Sequence, residues 1–590
     1  RLHDVLLASG VVNAAGTAER VLPWIDRHAD AWRAARVDVC LADLDGRQDV
    51  DTRDRARWCL DDRQVELAEL LHTLDHPGPQ VVQEAVPAVA GLRSPATCLD
   101  EASLRRQPAI PEGARVAVRE VQAELSRAVA RTLAGDHVGA LARVTEARQR
   151  ADALGWPPLI AAARLREGAL AATTGAYAAA EEALRAAYFT AVRADAWETA
   201  ADAANALTLT VGYRLARHAE GRAWGDHAAL AIERAGDPGQ LREAERIEHL
   251  GIIDLGTGDL EAATLQLERA LVLHRDALGE DHPVVALTLN RLGATRLNVG
   301  DYAGARALLE RSRAIRERVL GPDHPQLAGV LSNLANTHML VGAPADASPL
   351  FARALAIEER ALGPDHPNVA LDLHNLAGAQ RMLDLPGEAM ALYERALAIQ
   401  ERALGPDHPL VATTLGSLGR LKCSLGDCAA GREMLARSLA INEQVLGPDH
   451  PEVAITLRSL GDLHLEAGDI AAASPAYRRA LDVSERALGP DHVDVAQALT
   501  RLADLELHQQ RPRAAVPLLT RAIAIFDAHE GVQDDEAETH FRLARALHAE
   551  HGDPARARAQ ALLARDIVGP ADPDKQAEIA AWLAAHDRAE

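Results

Sequence analysis

The sequence predicts an all-α solenoid of stacked helical hairpins, preceded by a helical N-terminal segment. Three observations predict it: a pentapeptide recurs at a fixed interval, small residues hold fixed slots inside each interval, and aromatic residues are scarce. The pentapeptide reads Gly-Glu-Asp-His-Pro at 279–283, Gly-Pro-Asp-His-Pro at 321–325, 363–367, 405–409 and 447–451, and Gly-Pro-Asp-His-Val at 489–493. Its histidines, His282, His324, His366, His408, His450 and His492, follow one another every 42 residues. A fixed period of about 20–50 residues marks a chain built from one repeated supersecondary unit. Aromatics make up only 3% of the sequence, so the core must come from Leu, Ala, Val and Ile, which suits helices better than strands.

Each period reads as two helices. The first, at 284–299 in the best-defined copy, places Leu289, Leu292 and Gly293 on one face; the second, at 302–320, places Ala305, Leu309, Ser312, Ile315 and Val319 at helical spacing. Gly300-Asp301 punctuates the turn, and Gly321-Pro322 stops the second helix. Pro325 falls in the first turn of the next helix, where its missing N–H costs little. The first helix repeats a Leu-small pair: 250–251, 292–293, 334–335, 376–377, 418–419, 460–461 and 502–503. The second repeats a small slot at Ala263, Ala305, Ala347, Ala389, Gly431, Ala473 and Ala515. Small residues let helices approach closely, and a hairpin that cannot bury its apolar face alone must stack on its neighbours.

Weaker hairpins are expected at 113–155, 157–195, 196–236 and 240–278, with one more at 535–568 and a capping helix at 573–588. The organisation expected is therefore an N-terminal helical segment (1–112), divergent hairpins (113–239), a regular array (240–530) and a terminal pair with its cap (531–590).

The net charge of −23 repels phosphate backbones and argues against a nucleic-acid partner. Cys40, Cys59, Cys98, Cys423 and Cys428 are odd in number and form no C-x-x-C, so neither a disulfide framework nor a zinc ribbon is expected. That usage suits a reducing, cytoplasmic setting. No apolar stretch of about 18 residues and no signal peptide is seen. The chain begins at Arg1 rather than Met, which fits a piece of a longer protein.

The Leu-small pair, the small residue twelve positions later and the Gly-Pro-Asp-His-Pro linker resemble the tetratricopeptide repeat of the kinesin-light-chain type, over about 240–530. The resemblance implies a right-handed superhelix and a protein-binding role. It departs from the pattern three residues after the small slot, where an aromatic is usual and Arg296, His338, Gln380, Lys422 and His464 stand; looser packing is expected there. In residues 1–112, Trp32, Cys40, the run Cys59-Leu60-Asp61-Asp62-Arg63, Glu69-Leu70, Val81-Val82, Ala85-Val86 and Cys98-Leu99-Asp100 resemble the segment joining catalytic domain to repeats in large serine/threonine kinases of predatory soil bacteria, of the myxobacterial type. That likeness implies a regulatory C-terminal region whose kinase domain lies outside this chain.

Chemical motifs are few. His274-Arg275-Asp276 spells the start of a kinase catalytic loop, but Asp281 stands where the metal-holding Asn is needed. Lysine occurs only at Lys422 and Lys575, leaving no ATP-clamping lysine. Gly256-Thr257-Gly258 lacks the third glycine of a phosphate loop. The linker histidines, on loops about 10 Å apart, cannot share a metal that needs ligands at about 2 Å; they are expected to start helices. Cys423 and Cys428 read as buried small hydrophobes. Asp43, Asp45, Gly46, Asp49 and Asp51 misplace the glycine of a calcium loop and lack its closing Glu. No catalytic residue, metal or cofactor is expected.

In arrays of this family the first (A) helices line the concave wall. Its slots fall one residue after the small position and two or three before it. Here they hold Asn290, Arg291, Ser332, Asn333, Asn336, His374, Asn375, Arg420, Arg458, Ser459, Asp462, Arg501 and Asp504, with Arg381 one turn further along its helix. These slots vary while the Leu-small pair does not, so they are free to recognise a ligand. Asparagines suit a peptide backbone, and arginines suit carboxylates and rings. The expected function is a non-catalytic scaffold taking an acidic or aromatic-acidic peptide, as the regulatory part of a kinase. The alternative is a stand-alone adaptor or the sensor arm of another signalling protein, such as a nucleotide-switch ATPase.

Overall fold

The computed structural model describes residues 2–11, 13–44, 48–237, 239–529, 533–550, 553–568 and 572–586. Helix accounts for 84% of the chain, and no strand occurs among the described residues. Helical hairpins follow a set of N-terminal helices. They fall into two compact units, Arg1–Thr337 and His338–Glu590.

The first unit opens with helices Leu2–Ala8, Ala14–Leu44, Val50–Leu74, Pro79–Ala90 and Glu101–Arg106. Hairpins follow: Arg115–Leu133 with His137–Leu154, Pro157–Thr173 with Tyr177–Arg193, Trp197–Leu209 with His218–Ala235, Leu241–Gly256 with Leu260–Leu278, and Pro283–Val299 with Tyr302–Val319. The second unit contains Pro344–Leu362 and the hairpins Pro367–Met382 with Pro386–Leu404, Pro409–Ser424 with Cys428–Val445, Pro451–Glu466 with Ile470–Leu488, and Val493–His508 with Pro512–Phe526. Gln533–Ala549 with Pro554–Val568, then Pro573–His586, complete it. Residues 551, 552, 587 and 588 of the expected terminal elements lie outside the described residues.

The linker works as a stop and a start. Its glycine ends each second helix in a backbone region open mainly to glycine, as at Gly363 with φ +89° and Gly489 with φ +90°. Its histidine then caps the next helix. Val284, Gln326, Asn368, Leu410, Glu452 and Asp494 each donate a backbone N–H to Nδ1 of the histidine two residues earlier, at 3.1–3.2 Å. This satisfies one of the orphan donors of a helix N-terminus, a task more often given to Ser, Thr, Asp or Asn. At the hairpin turn the same need is met by Asp259, Asp301, Asp427 and Asp469, each accepting from the backbone three residues on. Where aspartate is missing, Pro344, Pro386 or Pro512 begins the helix instead.

The small slots bring the paired helices together. A β-carbon on Gly293 would stand 2.7 Å from Leu309 Cγ, and one on Gly461 would stand 2.5 Å from Tyr477. The partners form a series that the sequence reading did not single out. Leu267, Leu309, Phe351, Tyr393, Leu435, Tyr477 and Leu519 are spaced by 42 residues and all are at most 2% exposed. The expected looseness is therefore absent: bulk missing from the first helix is supplied by the second. The polar residues in the usual aromatic slot are half-buried and paired at their tips, Lys422 with Glu394 at 3.1 Å and Arg296 with Asp301 at 2.9 Å.

The N-terminal helices lie against the repeats of their own unit. Leu6, Val21, Leu70, Leu74, Val82 and Val86 share a core with Val285, Leu289, Ile315 and Val319. Nε2 of His282 donates to the Ala90 carbonyl at 3.3 Å, and Nε2 of His324 donates to the Gln83 carbonyl at 2.9 Å. These two linker rings thus accept at Nδ1 and donate at Nε2, which requires the neutral form. Burial lowers both pKa values. The unfolded chain, with histidines near about 6.5, binds protons more readily, so their contribution is complete above that pH and falls away as pH drops below it. Thermal melts should show a lower melting temperature at pH 5 than at pH 7.5. The double change His282→Asn and His324→Asn, which caps without titrating, should shrink that difference; an unchanged pH slope would contradict the role.

The cysteine expectation is corrected. Cys59 and Cys98, with Cα atoms 5.5 Å apart, are disulfide-bonded, as are Cys423 and Cys428; Cys40 is free. Packing of Val50–Leu74 against the turn Pro95–Leu99 brings the first pair together, which residue spacing does not show; the second pair is only five residues apart, across a hairpin turn. Cysteine usage therefore no longer argues for a reducing compartment. No helix among the described residues is long and apolar enough to cross a membrane.

Candidate ligand-binding face

The motifs with a chemical look resolve into structure. His274-Arg275-Asp276 lies within the helix Leu260–Leu278, where His274 is buried and its Nδ1 is 3.1 Å from Thr288 Oγ1. Gly256-Thr257-Gly258 is the end of the helix Leu241–Gly256 and its turn, with Gly258 at φ +80°. Asp43 pairs with Arg53 and Arg57, Asp49 caps the helix Val50–Leu74, and Asp51 pairs with Arg55. Asp45 and Gly46 lie outside the described residues.

The A-helix positions expected to bind a ligand separate into two sets. In the first unit, Asn333 donates to Asn290 Oδ1 at 3.1 Å, and Arg291 is paired with the buried carboxylate of Glu248 at 2.8 Å. Burial would raise Glu248; the Arg291 guanidinium, together with His274, His249 and the Thr288 hydroxyl, more than offsets it and holds the carboxyl below its ordinary value. Arg291 is thus an internal counter-ion. Asn336 is half-buried and has no polar partner among the described residues.

In the second unit, four arginines rise from successive A helices with very different compensation. Arg381 is exposed and has no carboxylate within 4 Å among the described residues. Arg420, also exposed, donates among the described residues only to hydroxyls, Ser459 Oγ at 3.1 Å and Ser417 Oγ at 3.4 Å. Partial burial of its head group, and then Arg381, lower its pKa. Arg458 has one distant carboxylate, Asp494 at 3.8 Å, and burial lowers its pKa too. Arg501 is different. It sits 3.3 Å from Asp462 and 3.6 Å from Asp504, and these acids more than offset its burial and raise its pKa. Positive charge is therefore unmatched at Arg381 and Arg420, partly matched at Arg458 and neutralised at Arg501.

His374 and Asn375 stand beside the unmatched end. The His374 ring lies 5.1 Å from the Tyr393 ring, with Nδ1 3.2 Å from Thr414 Oγ1. Burial, and then Arg420, push its pKa down to about 4, so it is a neutral hydrogen-bonding group at pH 7. Asn375 is half-buried and has no polar partner among the described residues. At the other end a cavity of about 200 Å³ is lined by Arg458, Arg501 and Arg542 facing Asp535 and Glu538. Arg542 escaped the sequence reading because the terminal hairpin lacks the linker that sets the register. Counting 42 residues on from 458 and again from 500 does reach it.

A tetratricopeptide repeat model matches residues 284–357, 326–402, 373–430, 412–486 and 473–528, and a second one matches 244–284. No curated protein matches the chain. Among solved structures it is similar to nearly identical TPR-like repeats assigned to a kinesin light chain of Podosopora anserina (23% identity, 35% of this chain, 98% of that one, TM-score 0.31). It is similar also to BtubC (BKLC) of P. vanneervenii (23%, 39% and 89%, TM-score 0.32). A third is the apo form of the quorum sensor NprR of B. thuringiensis (11%, 62% and 98%, TM-score 0.47).

Proposed function

We propose that these tetratricopeptide repeats form a non-catalytic interaction scaffold that takes an acidic segment of a partner protein on the A-helix face of residues 367–508. One observation carries the reading: in a chain of net charge −23, Arg381 and Arg420 stand on that face with no carboxylate partner among the described residues, while Arg501 has two. A guanidinium offers a planar fork of donors that fits a carboxylate, and Asn375 and the neutral His374 can bond an extended backbone beside it. Asn336 offers the same in the first unit.

A short fluorescein-labelled peptide of glutamates with one tyrosine should bind saturably by fluorescence anisotropy. Its affinity should fall with added salt, as screened charge pairs require. A lysine peptide of the same length should not bind. Equal binding of the two peptides, or none by the acidic one, would contradict the reading.

The order of residues in 1–112 favours placing this scaffold as the regulatory region of a serine/threonine kinase. A reading frame that runs from a kinase domain into Arg1 would support this; a start codon directly before Arg1 would favour the stand-alone adaptor or the arm of another signalling protein. The chain by itself should not transfer phosphate.

A further inference from the structure

We propose that the cavity between the N-terminal helices and the first A helices is a second binding site, for a small organic anion with an aromatic body and a carboxylate-type group. The cavity has a volume of about 520 Å³, within the range of roughly 300–1,000 Å³ usual for small-molecule sites. One wall comes from Val50–Leu74 and from the turn and helix through Arg106. The other comes from Arg115–Leu133, Pro157–Thr173, Trp197–Leu209 and Leu241–Gly256. The walls also touch: the Ser103 hydroxyl lies 3.5 Å from the Ala235 carbonyl. A folded partner therefore cannot enter, and a small molecule can.

The chemistry of the wall selects the ligand. Seven arginines line it, and four of them, Arg63, Arg93, Arg166 and Arg242, stand close enough to feel one another's charge. Two are served by the protein, since Arg93 donates to Glu66 at 2.7 Å and Arg242 to Asp202 at 2.7 Å. The other two are not. Arg63 is 8% exposed, makes no hydrogen bond among the described residues, and has Nε buried without a partner. Its one ion pair among the described residues is to Glu66 Oε1 at 3.8 Å, an oxygen that already accepts from Arg93. Arg166 has neither a hydrogen bond nor an ion pair among the described residues. Asp62 lines the same wall but reaches no guanidinium within 4 Å; burial pushes it up to about 6.

A guanidinium carries five donors, and leaving a buried charged donor without an acceptor is costly. An incoming oxyanion supplies what the fold withholds. Burial, and then Arg93, lower the pKa of both Arg63 and Arg166, which places the positive groups within electrostatic reach of one another. The rest of the wall suits an aromatic body: Trp58, Trp156 and Trp197 line it with Leu125, Leu159 and Leu165. Aromatic rings pack favourably edge to face or offset.

The test uses the full chain and 1-anilinonaphthalene-8-sulfonate, an aromatic body with one oxyanion, followed by its fluorescence. N-phenyl-1-naphthylamine is the neutral control. The sulfonate should bind at one saturable site, and indole-3-acetate but not indole-3-ethanol should displace it. Arg166→Gln should weaken it at least tenfold and Arg166→Lys much less, while the neutral probe binds both variants as it binds the parent chain. Because Arg166 has no partner to lose, Arg166→Gln should leave the melting temperature unchanged or raise it. Sulfonate binding that is absent, or equal in parent and Arg166→Gln, would overturn the proposal. So would a large fall in melting temperature, which would make Arg166 a structural residue. None of these readouts depends on the arginines of residues 367–508, so this site and the peptide-binding face can fail separately.

Discussion

Reversing two charges, Arg420→Glu with Arg458→Glu, is expected to abolish capture of the acidic peptide while leaving helicity and melting temperature nearly unchanged. A hydrogen bond to a charged group contributes about 1.5–3 kcal/mol. Two lost together cost at least about 3 kcal/mol, a factor on the order of 100 in affinity, before repulsion is added. Folding should be spared because Arg420 bonds only Ser417 and Ser459 and is exposed. Arg458 loses a 3.8 Å pairing with Asp494, and a glutamate there meets the charges of Asp494, Asp462 and Asp535, so any small fall in melting temperature should come from position 458 rather than 420. The same reversal at Arg501 should instead lower stability, since it would set a glutamate against Asp462 and Asp504. Anisotropy and circular dichroism on the three proteins separate these effects. Undiminished capture by the double variant would remove residues 367–508 as the binding face.

The second large effect is expected at Gly431, which should not tolerate leucine. Its β-carbon would lie 2.5 Å from the Gly419 carbonyl oxygen and 3.1 Å from Leu463 Cδ2. A backbone oxygen cannot turn aside as a side chain can, so the hairpin Pro409–Ser424 with Cys428–Val445 must open. At the equivalent position the other repeats carry alanine and nothing larger. Overpacking of this kind costs about 1–3 kcal/mol and sometimes more; a rigid backbone contact puts Gly431→Leu at the upper end, near about 3 kcal/mol. Helix propensity alone would favour the change by roughly 1 kcal/mol, so the sign of the effect decides between packing and propensity. Gly387→Ala is the control. Nothing lies within 4 Å of the added carbon there, and the melting temperature should hold or rise. If Gly431→Leu melts like the parent chain, the close approach of the two helices is wrong.

Helix positions were legible because the linker sets them locally. Gly-Pro-Asp-His-Pro holds a glycine stop, a histidine cap and a proline start in one pentapeptide, and no distant residue is needed to decode it. The small slots were legible for the same reason. Tyr393 and Tyr477 were not, because they fill space left by Ala377 and Gly461 on another helix, and the compensation crosses a turn. The ligand-binding face was half legible. Register showed which residues line the A helices, but not which arginines already hold a carboxylate. Arg291 and Arg501 look like Arg420 in sequence; only the fold places Glu248, Asp462 and Asp504 against them. The Cys59–Cys98 disulfide and the cavity behind residues 50–106 depend on contacts between distant segments.

Hydrogen exchange with and without the glutamate peptide tests the central claim most directly. The account predicts new protection along the A helices Pro367–Met382, Pro409–Ser424 and Pro451–Glu466, with Pro386–Leu404 and Cys428–Val445 unchanged. Protection confined to those second helices, or to residues 1–112, would contradict it.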